Sequence, residues 1–308
     1  MRALLVVNHK ATTTSGRVRD VLVQALRSVV DLSVEHTRER GHAAGLAQQA
    51  AADGMDVVVV LGGDGTVNEA VNGLLAHGVP ASGPAFAVVP GGSTNVFARA
   101  LGLPADWVEA TGVLLEALRE GRYRTIGLGR ADERYFTFCA GFGLDAEVIA
   151  RVERARHRGG NHTSRLYLRA LAGQYLFDTH RKAAPITLER SDGEADENLA
   201  MVVVQNTSPW TYLGDRRIDP NPDASFDTGL DLLGMRALRL TGTARTGIQL
   251  LAGRPRGPHG RGVLRLHDVA EFGLRASEPV AFQLDGDYLG EREKVRFTAV
   301  PSALRVFC

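Results

Sequence analysis

Val57-Val-Val-Val-Leu-Gly-Gly-Asp-Gly-Thr-Val-Asn-Glu-Ala-Val-Asn-Gly73 is the stretch on which the reading of this chain turns. The run from Val57 to Leu61 is unbroken and apolar, as expected of a strand buried on both faces. It stops at Gly62-Gly-Asp-Gly-Thr66, and a helical pattern follows at once. A strand, a glycine turn and a helix in succession put backbone N–H groups and the positive end of a helix dipole at one point, which suits a phosphate. The glycines are expected to let the backbone approach closely and to tolerate positive φ. Asp64 is the odd member, because a carboxylate beside a phosphate repels it unless a cation lies between. It reads as an indirect Mg²⁺ ligand or as a holder of loop geometry.

Outward from this stretch, residues 1–125 alternate strands and helices. Strands are expected at 3–8, 32–36, 57–61 and 85–89, and helices at 16–30, 43–52, 68–75, 96–100 and 107–120. That rhythm implies an α/β domain with a parallel sheet covered on both faces. Ligands bind such sheets at the carboxyl ends of the strands. Three loops fall there, at 8–15, 62–68 and 90–95. The third, Pro90-Gly-Gly-Ser-Thr-Asn95, repeats the glycine-turn design, with Asn95 placed to cap the next helix and Ser93 the better candidate for a nucleotide contact. No Gly-Lys-Ser/Thr follows either turn, so neither is a Walker loop.

The rhythm changes after Tyr123. Strands are expected at 124–128, 135–140, 186–190, 199–205, 231–240, 263–266, 272–276, 280–284 and 294–299, with helical spacing only at 144–156, 164–180 and 243–251. Many strands joined by polar turns imply an antiparallel sandwich or barrel over about 126–299, after a hinge near 121–126. The last strand, within about 300–308, has the option of returning to the first domain.

The bulk numbers narrow the class. A chain of 308 residues with 44% hydrophobic residues has ample material for two cores. A net charge of +1 and 6% aromatics argue against nucleic acid as a partner. Two cysteines, Cys139 and Cys308, read as reduced thiols of a cytosolic protein. The apolar start at Met1 is too short for a signal peptide, and no run reaches the ~18–20 apolar residues of a membrane span. Any membrane contact is therefore expected to be peripheral.

Several segments of the second half carry chemistry. Asp285-Gly286-Asp287 offers two carboxylates flanking a glycine, of which one can take a proton from an alcohol while the other orients a neighbour. The same tripeptide is also a hairpin-turn signal. Gly141-Phe-Gly-Leu-Asp-Ala146 matches the dinucleotide pattern, but it reads as a sharp turn into a helix, because better phosphate loops precede it. Arg151-Val-Glu-Arg-Ala-Arg-His-Arg158 with Arg165 and Arg169 reads as the only basic cluster and precedes an apolar run, a combination that suits either an anionic membrane surface or a solvated helix. Trp210-Thr-Tyr212 reads as core or as the lining of a lipid pocket. No His or Cys cluster suits zinc.

Together Val7-Asn8, Gly62-Gly-Asp-Gly-Thr-Val-Asn-Glu69, Pro90-Gly-Gly-Ser-Thr-Asn-Val-Phe-Ala-Arg-Ala-Leu-Gly102 and Gln283-Leu-Asp-Gly-Asp287 resemble the diacylglycerol kinase catalytic-domain family, which includes bacterial diacylglycerol kinases and sphingosine-type kinases. The resemblance implies an α/β domain like that of NAD kinase or phosphofructokinase, followed by a β-sandwich domain. It implies ATP and Mg²⁺ as cofactors and transfer of the γ-phosphate to a lipid hydroxyl, diacylglycerol giving phosphatidic acid. The alternatives are a sphingoid base or other lipid alcohol, a soluble acceptor such as NAD, or a regulator that binds nucleotide without catalysis. Carried over by position, Asn8 and the loop through Thr12 touch ATP, and Thr37 lies on the adenosine side. Gly62, Gly63, Asp64, Gly65, Thr66 and Asn68 cradle the phosphates, and Ser93 completes the site. Asp287 is the general base where relatives usually carry Glu, with Asp285 supporting it. Asp227 matches the residue that holds a second Mg²⁺ with the carbonyls of Ala224 and Gly229, and Asp231 competes with it. The chain departs from the family at His9, usually Pro, and at Val96, usually Asp. Relatives also imply a homodimer working at the inner face of a membrane.

Overall fold

The chain divides into two units, Met1–Ile126 with Ser302–Cys308, and Gly127–Pro301. The computed structural model describes residues 1–8, 16–157, 185–236, 238 and 240–308. Thr12, the helix expected at 164–180, Arg158, Arg165 and Arg169 lie outside the described residues.

The first unit contains β1 (Arg2–Val7), α1 (Gly16–Arg27), β2 (Asp31–His36), α2 (His42–Ala52), β3 (Val57–Gly62), α3 (Asp64–Leu74), β4 (Ala85–Pro90), α4 (Val96–Ala100) and α5 (Trp107–Glu120). Its strands run parallel in the order β4-β3-β1-β2, with Val59 opposite both Leu5 and Ala87. The valine run of β3 is wholly buried at the centre, which is why it reads as unbroken hydrophobicity rather than alternation. β2, at the edge, alternates exposed and half-buried residues. α5 buries Ala110, Thr111, Leu114, Ala117 and Leu118 along one stripe. Asp106 caps it by accepting the N–H groups of Val108 and Glu109, and Gly121 ends it at φ 65°. α2 and α3 cross closely, since a Cβ on Gly73 would stand 2.1 Å from the Ala44 carbonyl oxygen.

After β5 (Tyr123–Ala131) the second unit holds β6 (Arg134–Phe136), β7 (Cys139–Gly143), α6 (Leu144–His157), β8 (Ile186–Arg190), β9 (Ala195–Leu199), β10 (Met201–Gln205), β11 (Thr211–Leu213), β12 (Arg216–Ile218), β13 (Leu230–Met235), α7 (Leu240–Leu251), β14 (Val263–Val269), β15 (Glu271–Leu284) and β16 (Asp287–Phe307). The strands β14-β13-β10-β7-β15-β16 pair antiparallel in that order. Their core is aromatic: Phe272 stacks on Phe297 at 5.2 Å, and Phe136 meets Phe297 edge-on. The last part of β16 belongs to the first unit, where Val306 pairs parallel with Phe86. Trp210 and Tyr212 are half-buried, at and within the small β11–β12 hairpin. Neither Cys139 nor Cys308 forms a disulfide. Among the described residues no helix is long and apolar enough to cross a membrane.

Some expected elements are cut or fused. The strand expected at 135–140 breaks at Thr137-Phe138, because Thr137, Phe138 and Cys139 donate their N–H groups to the Asp285 carboxylate instead of to a neighbouring strand. The strand expected over 231–240 ends at Met235, and Leu240 already begins α7. The segments 272–276 and 280–284 belong to one strand, and so do 294–299 and 303–307.

Candidate active site

In the first unit the loops after β1, β2, β3 and β4 follow the carboxyl ends of parallel strands. Asn8 donates its N–H to the Leu61 carbonyl at 3.0 Å and its side-chain amide to Thr66 Oγ1 at 2.9 Å. Thr37 is buried after β2 and donates its N–H to the Val7 carbonyl. The two glycine turns lie directly against each other. Gly91 donates its N–H to the Gly62 carbonyl at 2.9 Å. A Cβ on Gly92 would stand 2.6 Å from the Gly63 Cα, and one on Gly91 would stand 3.0 Å from the Gly62 Cα. Backbone against backbone is therefore what demands glycine here. Positive φ is not the reason, since Gly63 is extended at φ −93° and ψ −179°.

Asp64 opens α3 rather than preceding it. Its two oxygens accept the N–H groups of Val96 and Phe97 at 3.0 and 3.1 Å, so a residue of one glycine turn caps the helix that follows the other. Asn95, expected to provide that cap, sits at φ 50° and turns back on its own loop. It accepts from the Gly92 N–H at 2.8 Å and donates to the Gly92 carbonyl at 2.9 Å. These contacts favour the reading of Asp64 as the holder of loop geometry. Asn68 is fully buried on α3, where its carbonyl and side-chain oxygens accept from Asn72. Thr66 is buried too, whereas Gly63, Asp64 and Gly65 are half-buried and Ser93 is exposed.

In the second unit Asp285 and Gly286 are the two central residues of a hairpin closed by Leu284 opposite Asp287, with φ 49° and 82°. Asp285 thus both turns the chain and carries a carboxylate into the interior. Asp285 is buried and accepts from Thr137 N–H at 2.7 Å, Thr137 Oγ1 at 2.8 Å, Phe138 N–H at 3.0 Å and Cys139 N–H at 3.1 Å. It orients backbone, one of the supporting roles open to it. Asp287 is half-buried at the other side of the same turn.

Two residues that motif reasoning left without a role complete this arrangement. The Gln283 side chain accepts from the Gly286 N–H at 2.9 Å and donates to Asp145 Oδ2 at 2.7 Å. Asp145 is buried in the first turn of α6, and burial pushes its carboxyl up to about 6, against the lowering effect of the Gln283 bond. Its Oδ1 has no hydrogen-bond partner among the described residues. The Gly-x-Gly pattern is explained by the same contacts. A Cβ on Gly141 would stand 2.0 Å from Asp145 Oδ2, and Gly143 turns the chain into α6 at φ 92°. The sequence signal was an acidic residue within an apolar strand-to-helix junction.

The two metal candidates separate. Asp231 is fully buried and both its oxygens lie against His267 Nδ1, at 2.8 and 3.0 Å. This bond raises the His267 pKa above its ordinary value. Asp231 is therefore already engaged by His267 and by the Asp268 N–H. Asp227 is exposed in the preceding turn, which is tied down by the Gly229 N–H donating to Asp268 at 2.7 Å. Among the described residues no group of three or more His, Cys, Asp or Glu side chains is placed to hold a metal ion. A Mg²⁺ at Asp227 would thus take one carboxylate and fill its remaining positions with carbonyls and water, a donor set this hard cation accepts.

A parallel α/β unit with two interlocked glycine turns, joined to an antiparallel unit with a pinned Asp-Gly-Asp hairpin, defines the class of protein. Residues 2–131 match the family model of the diacylglycerol kinase catalytic domain. Over 129 residues it is 34% identical to a diacylglycerol kinase of Staphylococcus carnosus, covering 42% of this chain and 40% of the relative. It is 35% identical over 144 residues to a probable lipid kinase YegS-like protein of Chromohalobacter salexigens, covering 47% of this chain and 44% of the relative. The matched region thus spans less than half the length of these curated relatives. Two crystal structures from Bacillus anthracis, of a diacylglycerol kinase and a putative diacylglycerol kinase, share the fold at TM-scores of 0.72 and 0.77. Each covers 99% of this chain and 96% of its own, at 21% and 23% identity.

Proposed function

We propose that this protein is an ATP-dependent lipid kinase that transfers the γ-phosphate to a lipid hydroxyl, with diacylglycerol the first candidate and phosphatidic acid the product. The observation that carries this reading is the interlock of Gly62-Gly63 with Gly91-Gly92, closed by Asp64 on the N-terminus of α4. It holds the N-terminal turn of α3 rigid and half-open, the arrangement in which backbone N–H groups and a helix dipole bind a triphosphate. Ser93, exposed on the second turn, adds a hydroxyl. Magnesium, when bound with the nucleotide, supplies the charge neutralisation that phosphoryl transfer requires, and Asp227 is the side chain we assign to a second ion. The names of the similar kinases support a lipid acceptor.

Asp287 takes the general-base role in this reading. A base must meet the hydroxyl proton at hydrogen-bond distance and be held there. The side chains of Asp285 and Gln283 pin the turn to β7 and α6 and so fix the position of the half-buried Asp287, whose carboxylate we assign to accept the proton of the acceptor alcohol. Incubation with γ-labelled ATP and a total lipid extract tests the proposal. Label in the organic phase is expected, and label confined to a water-soluble product would replace lipid with a soluble acceptor. Asp287→Ala is expected to bind nucleotide like the parent and to lose transfer by at least about 100-fold, the scale of a positioned base.

A further inference from the structure

Helix α7 buries two polar side chains and exposes two apolar ones. Its buried positions are Thr246 and Gln249, at 6% and 4% exposure, whereas Ile248 and Leu251 are 67% and 44% exposed. Helices on a protein surface normally show the opposite polarity. Arg245, Ile248 and Leu251 follow one another at intervals of three and so form a single outward ridge.

The surroundings of that ridge are one-signed. Between Asp231 and Asp268 the chain has seven arginines and no Asp or Glu. Arg236 and Arg265 are drawn to Asp196 and Asp223. Arg245, Arg254, Arg256 and Arg261 are exposed, and among the described residues none forms an ion pair with a carboxylate. Gln249 ties the arginine-bearing loop to the helix by accepting from the His259 N–H at 2.8 Å and donating to its carbonyl at 3.3 Å. The Arg245 guanidinium lies beside Gly260 in that loop. Arg216 brings a fifth guanidinium, donating to the Leu251 carbonyl at the end of α7.

We propose that this face of the second unit, the α7 ridge with the loop at 252–262, is the surface that docks on an anionic phospholipid bilayer. Ile248 and Leu251 enter the headgroup boundary, and the ring of arginines meets lipid phosphates, the combination by which interfacial helices bind. Charge complementarity selects this occupant. A second copy docked by two-fold symmetry would set guanidinium against guanidinium. A single-stranded nucleic acid would want stacking surfaces, and 236–265 contain no Phe, Tyr or Trp. The inference rests on the lipid-kinase reading only for why a bilayer is visited; the contact needs no nucleotide.

Co-sedimentation of the full chain with vesicles of equal parts phosphatidylglycerol and phosphatidylcholine, without ATP, tests it. Binding is expected to weaken with salt and to be lost on phosphatidylcholine alone. Arg254→Glu with Arg256→Glu should bind at least 20-fold more weakly, from about fivefold per arginine removed. Ile248→Ser with Leu251→Ser should bind several-fold more weakly, and circular dichroism and the thermal midpoint are expected to stay at parental values in both. Parental binding by either pair, or equal binding to neutral vesicles, would overturn the proposal. A chain that sediments with vesicles but phosphorylates no lipid sinks the kinase reading and leaves this surface standing. One that phosphorylates detergent-dispersed diacylglycerol while parent and variants sediment alike does the reverse.

Discussion

Three aspartates of the same type do three different jobs, and each job has its own measurable signature. Asp64 is a helix cap supplied from another element. Asp64→Ala leaves the Val96 and Phe97 N–H groups without that acceptor and is expected to cost about 1–2 kcal/mol in urea unfolding, as for other lost caps. Asp285 is wholly committed to four donors. Asp145 is the one whose protonation state matters. Its folded pKa, about 6, lies above the ordinary 3.8, so between these values the folded state holds a proton that the unfolded state has released. The associated stability is complete below pH 3.8 and is lost as pH rises through about 6. The loss is about 3 kcal/mol at about 1.4 kcal/mol per unit. The stability of the parent relative to Asp145→Asn should fall by that order across this window in denaturant titrations; a pH-independent difference would show that Asp145 does not titrate there. His267 has the same sign, because its raised pKa means that the contribution of its bond to Asp231 is present at low pH and fades as pH passes that value.

At the scale of elements, the glycine turns show how a correct motif can be read for an incomplete reason. Their positions were plain in the sequence, but the reason was contact with a second backbone, which lies 29 residues away and which no local pattern reports. Gly92→Ala is expected to separate the turns, destabilising the protein by about 1–3 kcal/mol as overpacking does and weakening nucleotide affinity in a titration. Gly242→Ala, with open space around its Cβ, is the control. Helix positions were legible because apolar periodicity and caps are local: α5 occupies Trp107–Glu120, the limits its spacing implied. Strand limits in the second half were less so. The break at Thr137-Phe138 depends on a carboxylate nearly 150 residues distant. The inverted polarity of α7 was also hidden, because its spacing identifies a helix but not which stripe faces the protein.

At the scale of the whole molecule, the chain's last segment decides how the first unit is finished. Leu304, Val306 and Phe307 are buried, and Val306 extends the parallel sheet beside Phe86. A chain cut after Pro301 would lose these three side chains from the core, at about 1.5–3 kcal/mol each. A drop of roughly 5 kcal/mol or more in the unfolding free energy of the first unit is expected, read by hydrogen exchange of the β3 and β4 amides. The amino-acid sequence alone determined the parallel α/β start, the antiparallel continuation, the two glycine turns and the Asp-Gly-Asp hairpin, because each is written in neighbouring residues as periodicity or turn chemistry. Only tertiary structure decided that Asp64 caps α4, that Asp231 is spoken for by His267, and that Gln283 and Asp145 brace the hairpin. Those are contacts between side chains far apart along the chain, and a hydrogen bond leaves no mark on the spacing of the residues that make it.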